Sequence, residues 1–197
     1  DVWLANVRGN KYCREHDKLP STDKQFWDFD LDDLIEHDIP AIIDAVLNYY
    51  LSDTTLSIVA FSQGTTLTMG FLSQFPTYHK KIDKLIMLAA TGRPRNHKTI
   101  NQISKLNFDF IKGIFGNGAL LEEIIVVIRA ILPSSCYSSL LKYSMSLLFD
   151  WKFESLSQNQ IIYSHLYCST SVSLILHWFH IIRNEGFFRN GTTAPYA

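Results

Sequence analysis

A chain of 197 residues with 47% apolar residues can build one sizeable core, or a small core with an appended subdomain, and is too apolar to stay disordered. The formal net charge is −1, and no strongly basic run points to nucleic acid as a partner. No apolar stretch approaches the roughly 18 residues of a membrane span, because the longest, over 120–132, is broken by Glu122, Glu123 and Arg129 and reads as a buried amphipathic helix.

Residues 1–6 (DVWLAN) read as a short buried strand, and Arg8 to Lys24, with Gly9 and Pro20, as a polar run of turns. Cys13 lies in that run. With Cys136 and Cys168 it shows no CxxC or His-rich spacing for zinc, and all three are expected as small buried or partly buried thiols. From Leu31, the residues Leu34, Ile35, Ile39, Ile42, Ile43, Val46 and Leu47 recur at helical steps. Pro40 predicts a short first turn that ends there and a main helix that starts at it. Leu56–Phe61 is a β-branched run bounded by Asp53-Thr54-Thr55 and Gly64, which predicts an interior strand. A helix over 66–75, stopped by Pro76, and a strand over 82–90 follow. This alternation predicts an α/β fold, a parallel sheet with crossover helices. After Gly92-Arg93-Pro94 the pattern turns helical, over 103–115, 120–132, 138–149 and 172–184, without a convincing strand. The expected division is a sheet-based core over 1–95 and a helical cap, or lid, over 96–197.

The chemistry lies where the second strand meets its helix, at Ala60-Phe61-Ser62-Gln63-Gly64. Serine is a poor nucleophile unless a base takes its proton and the backbone lifts it clear of the sheet. A sharp strand-to-helix turn supplies that lift in strained geometry, and small residues two before and two after the serine avoid a clash. Gly64 meets this need, and Ala60 stands where glycine is usual. The backbone N–H of Gln63, at the start of the helix, is the candidate oxyanion donor for Ser62.

Several blocks around this turn resemble one family. Asp1-Val2-Trp3-Leu4-Ala5-Asn6-Val7-Arg8-Gly9-Asn10 is similar to the DVWLGNxRGN block of the acid lipases and fungal steryl-ester hydrolases. Phe26-Trp27-Asp28-Phe29, Asp32-Asp33 and Asp38-Ile39-Pro40-Ala41 resemble their FWDFSxDE and DLPA stretches, and Phe61-Ser62-Gln63-Gly64-Thr65-Thr66 their SQGT elbow. Ser169-Thr170-Ser171-Val172 and Leu176-His177-Trp178-Phe179 are similar to the TSVxxxxHW segment of the lid, and residues 147–152 look like the yeast-type steryl esterases. The departures are Ala5, Cys13 and Ala60, none of which removes a catalytic group.

The resemblance implies an α/β-hydrolase with a helical cap, hydrolysing steryl esters, or alternatively triacylglycerols, through a Ser-Asp-His triad without cofactor or metal. It implies work at a lipid droplet or membrane surface, with a lysosomal, vacuolar or secreted location as the alternative. Ser62 as nucleophile and Gln63 as oxyanion donor are the residues carried over. The chain reads as a fragment: the oxyanion loop is expected ahead of Asp1 and the triad Asp and His beyond Ala197, so these 197 residues alone are expected to be inactive. The competing class is a lipid-binding or interaction protein that has kept the elbow and lost the triad.

Other candidates have plainer readings. Asp150 with His165, His177 or His180 satisfies the chain order of a triad, but a lid position would not reach the serine, so His177 and His180 are read as structural. The acids Asp28, Asp30, Asp32, Asp33, Glu36 and Asp38 lack the glycine and final glutamate of a calcium loop and read as helix-start acids, with Asp30 as N-cap. Arg8 is expected to bridge loops, Arg93, Arg95, His97 and Lys98 to form a solvated hinge, and Asn190-Gly191-Thr192 is a weak glycosylation sequon.

Overall fold

The computed structural model describes residues 1–50, 54–92, 94, 98–116, 118–120, 122–149, 168–192 and 195–196. They divide into two units: Asp1–Arg8, Phe29–Pro94 and His177–Ala197 form the first, and Gly9–Asp28 with Arg95–Leu176 the second.

In the first unit, Leu31, Leu34 and Ile35 share one helical stripe and are wholly buried. Asp30 opens the run with a reciprocal cap: its carboxylate accepts the Asp32 N–H at 2.7 Å, and the Asp33 carboxylate accepts the Asp30 N–H at 2.9 Å. Helix α1 (Leu31–Asp33) widens into a π-helical turn over Leu34–Asp38 and narrows again into α2 (Ile39–Tyr49), with Pro40 in its first turn. The expected break at Pro40 is thus a widened turn. Proline has no N–H to donate and its ring crowds the carbonyl four residues back, and a residue added to the turn relieves both.

Strand β1 (Leu56–Phe61) turns Leu56, Ile58 and Ala60 inward and Ser57, Val59 and Phe61 outward. It pairs in parallel with β2 (Ile82–Leu88), Phe61 opposite Leu88. Helix α3 (Gln63–Gln74) joins them and starts at Gln63, earlier than the expected residue 66. A mixed α/β fold with a parallel sheet is therefore present. Two expectations change, because the sheet holding β1 has two strands among the described residues. Residues 1–6 form no strand, and Val2 and Leu4 are exposed, since extended backbone becomes a strand only where a ladder partner lies within reach. Nor is β1 interior among the described residues: there it has one neighbour, and Val59 and Phe61 on its outer face are exposed.

Leu67 and Phe71 bury one face of α3, and Gly70 lets it sit close to the π-turn. A Cβ at Gly70 would lie 2.7 Å from Ile35 Cδ1 and 3.2 Å from Phe187 Cζ.

The second unit is mainly helical. Asp23 caps a 3₁₀ turn (Lys24–Trp27) that buries Phe26 and Trp27, and the Trp27 indole donates to the Ser21 carbonyl at 2.8 Å. Helices α4 (Lys98–Ile103) and α5 (Phe108–Phe115) replace the single helix expected over 103–115. Asn107 separates them, because its side chain accepts the N–H groups of Asp109 and Phe110 and so starts a new helix. Next come β3 (Ala119–Leu120), α6 (Glu122–Ile131) and α7 (Ser134–Phe149), which buries Tyr137, Leu141 and Met145 at four-residue steps. The expectation of no strand in this region is corrected: β3 pairs antiparallel with β4 (Thr170–Ser171), ahead of α8 (Val172–Arg183). Such two-residue strands carry no alternating pattern for a sequence to display. All three cysteines are free and exposed, contrary to expectation: Cys13 in a turn, Cys136 on the outer side of α7 and Cys168 in the segment before β4.

Candidate active site

Ser62 stands between the end of β1 and the first residue of α3, with φ 49° and ψ −118°. A serine in this region of backbone space is strained, and such strain persists only where the surroundings over-determine it. They do so here. The Ser62 N–H donates to the Leu88 carbonyl at 3.0 Å, and the Ser62 carbonyl accepts the Thr65 N–H at 2.9 Å and the Thr65 hydroxyl at 2.6 Å. Ala89, just beyond β2, is also left-handed, with φ 50°. Ala60 is buried under the turn, and a Cβ at Gly64 would meet the Ala60 Cβ at 3.9 Å, an ordinary contact. The two small residues do face each other, but in this chain the pair has room for one methyl more.

Two further ties brace the elbow. Thr65 Oγ1 accepts the Thr91 N–H at 2.9 Å, and the Thr66 hydroxyl donates to the Thr91 carbonyl, which joins the start of α3 to the loop after β2. Both threonines are fully buried, so their hydroxyls need these partners. From the other direction, the Trp178 indole N–H on α8 donates to Gln63 Oε1 at 3.0 Å. Helix geometry leaves the first N–H groups of α3, Gln63 among them, without intrahelical acceptors. Free N–H groups at the start of a helix carry the partial positive charge that suits an anion.

One residue before Trp178, His177 is wholly buried on the stripe it shares with Ile181. Its Nε2 lies 2.9 Å from the Phe188 carbonyl, which can only accept, so Nε2 carries the proton. Its Nδ1 faces Asp30 Oδ1 at 3.6 Å. Burial by itself lowers the His177 pKa, but the Asp30 carboxylate and the Phe188 carbonyl outweigh it and hold the value above the ordinary one. Burial likewise raises Asp30, yet His177, Asn190 and the Asp32 N–H pull it below its ordinary value. Asp32 is raised, chiefly by burial. Asp30, Asp32 and His177 are close enough to suit a cation, with donor atoms within 4.8 Å of one another. However, Asp30 already accepts from Asp32 N and Asn190 Nδ2, and Asp32 from Asn190 N and the Tyr196 hydroxyl. The cluster joins helix starts to the C-terminal segment through hydrogen bonds.

Among known proteins, a probable lipase of Schizosaccharomyces pombe is 37% identical over 95% of this chain and 40% of its own length. Gastric triacylglycerol lipase of Bos taurus is 30% identical over 100% of the chain and 51% of its own length. Human lysosomal acid lipase/cholesteryl ester hydrolase is 27% identical over 95% of the chain and 48% of its own length. The chain is similar in sequence to these lipases. It spans about half, or less, of the length of these relatives. No family model matches it.

Parts of several of these sequence blocks meet in the first unit. Arg8 of the first block donates to Asp38 of the second through its backbone N–H at 2.8 Å and Nε at 2.7 Å. Gln63 of the elbow block meets Trp178 of the last, and His177 beside it meets Asp30. His180 Nε2 lies 2.7 Å from the Thr192 carbonyl and Nδ1 3.1 Å from Asn184 Nδ2, and Asn190 of the sequon donates to Asp30 at 2.6 Å. Among the described residues no hydrogen bond joins the Ser62 hydroxyl to a histidine or carboxylate. Asp150, His165, Arg93, Arg95 and His97 lie outside the described residues. Sequence reasoning missed the Trp178–Gln63 and His177–Asp30 pairs. The adjacent His-Trp was the available signal, two polar-tipped side chains on an otherwise apolar helix.

Proposed function

We propose that the full-length protein hydrolyses lipid esters with Ser62 as nucleophile and the Gln63 N–H as one oxyanion donor. The observation that carries this reading is the strained Ser62 at the junction of β1 and α3. Ser62 Oγ attacks the ester carbonyl as a base takes its proton, the oxyanion rests on the end of α3, and its collapse expels the alcohol. Water then cleaves the acyl-enzyme and releases the fatty acid. The triad acid and base are proposed to come from outside these 197 residues, since the relatives are about twice this length or more. The helical region over 96–197 is the proposed cap, with its last stretch, from His177, contributing to the elbow unit.

Steryl esters are the proposed substrates, supported by the resemblance of residues 147–152 to yeast-type enzymes. Triacylglycerol is the second reading, supported by the bovine relative. Work at a lipid droplet or membrane surface is supported by Phe110, Ile114 and Phe115, exposed on α5. A lysosomal, vacuolar or secreted location is the alternative. Among the described residues no helix is long and apolar enough to cross a membrane. The test is hydrolysis of cholesteryl oleate and trioleoylglycerol by the full-length protein and its Ser62→Ala variant. The variant should lose roughly 10⁴- to 10⁶-fold in kcat. Equal activity in the two sinks the assignment. Binding of both lipids without turnover by the wild type supports a lipid-binding protein instead.

A further inference from the structure

We propose that Trp178 is a positioning residue for the oxyanion donor: its indole N–H holds the Gln63 side chain and so adds a second restraint on the peptide between Ser62 and Gln63. The inference rests on the reading of Ser62 as nucleophile.

An indole nitrogen can only donate, so at 3.0 Å it must meet the amide oxygen of Gln63, and the orientation of that amide is set. The two residues lie 115 apart in sequence, so this is a tertiary contact and not a local turn. Gln63 follows the serine directly and is the first residue of α3. The peptide that carries the donor N–H is oriented by Ser62 ψ and Gln63 φ. At φ 49° Ser62 stores backbone strain, and relaxing it would swing that peptide away from the direction an oxyanion needs. The Thr65 N–H and hydroxyl hold the Ser62 carbonyl, at one end of that same peptide, and the Leu88 carbonyl holds the Ser62 N–H. The Trp178 bond adds a restraint from the Gln63 side. The indole is itself fixed by its neighbour, because His177 is locked between the Phe188 carbonyl and Asp30, and α8 cannot rotate about its axis without breaking both. Donors aimed before the charge develops are what make an oxyanion hole effective, so a tether that only holds a donor in line has a kinetic effect.

The test uses the full-length protein with Trp178→Phe, Gln63→Met, the double variant and Ser62→Ala, assayed on a soluble ester. Phenylalanine keeps the ring and loses the donor, and methionine keeps the length and loses the acceptor. Each single variant should lose about five- to tenfold in kcat, as expected for one neutral hydrogen bond, with KM within about twofold. The double variant should lose no more than the worse single one. Thermal unfolding should stay close to that of the wild type. Wild-type kcat in both single variants, or losses that multiply in the double variant, would overturn the proposal. If Trp178→Phe does not fold, Gln63→Met removes the same bond from the surface side and decides alone. An inactive Ser62→Ala beside unimpaired tether variants removes this inference and leaves the nucleophile standing. An active Ser62→Ala removes both.

Discussion

The elbow and the helical second unit are held by opposite means. Around Ser62 the order comes from polar ties, with threonines at 65, 66 and 68 buried on α3 and bonds running to Leu88, Thr91 and Trp178. In α5 to α7 the order comes from repeated apolar residues at helical steps, and Phe110, Ile114, Ile131 and Tyr143 are left exposed. The first arrangement specifies one geometry and tolerates little. The second specifies helices and leaves their outer faces free to meet apolar material. The proposed hydrolysis of water-insoluble esters would use both, a fixed donor and a greasy surface.

The contrast breaks most severely at the buried pair. Removing the imidazole in His177→Ala leaves Asp30 facing a void beside the elbow, with an expected loss of about 3 kcal/mol by chemical denaturation. The pair also dictates a pH profile. His177 binds its proton more tightly folded than unfolded, so its contribution is complete below about 6.5 and is lost as pH rises through the higher folded value. Asp30 is depressed, so its contribution is present above about 3.8 and is lost as pH falls through the lower folded value. The stability difference between wild type and His177→Leu should therefore peak in mildly acidic solution and shrink above neutrality. A difference flat over roughly pH 5 to 9, the span of a histidine titration, would refute the charged pair.

A smaller effect tests how closely the elbow unit is packed. Alanine at Gly70 gains helix propensity but must displace Ile35 and Phe187, and the net expectation is a loss of about 1–2 kcal/mol. A stabilised Gly70→Ala would mean that Ile35 can turn aside freely. Smallest in stability is Phe110→Ser on the outer side of α5, within about 0.5 kcal/mol. The same change should weaken binding to phospholipid vesicles by roughly tenfold if that face meets lipid. Unchanged vesicle binding would remove α5 from the interface.

What could be read in advance divides along the same line. Leu56–Phe61 was legible to the residue, because a β-branched run between turn residues is a local signal. The Asp30 cap and the position of Ser62 at a strand-to-helix turn are local too. The fate of residues 1–6 was not legible, since a strand depends on a partner that no local pattern reports. The same holds for β3 with β4, and for Gln63 with Trp178. The cysteines failed for another reason: one thiol is too small to dictate its own burial and follows its backbone.

The π-turn over Leu34–Asp38 bears on how this chain can vary in length. Such a turn is an α-helix with one residue too many. Glu36 within it holds Arg189 at 2.8 Å, and Asp38 at its end holds Arg8. Deleting one of its residues would restore regular helix and leave everything beyond in phase, because the widened turn already absorbs the roughly 100° that the extra residue adds. The same deletion inside the regular helix that follows would turn Ile43 out of the core. The length of this short segment is therefore freer than that of the helix it leads into.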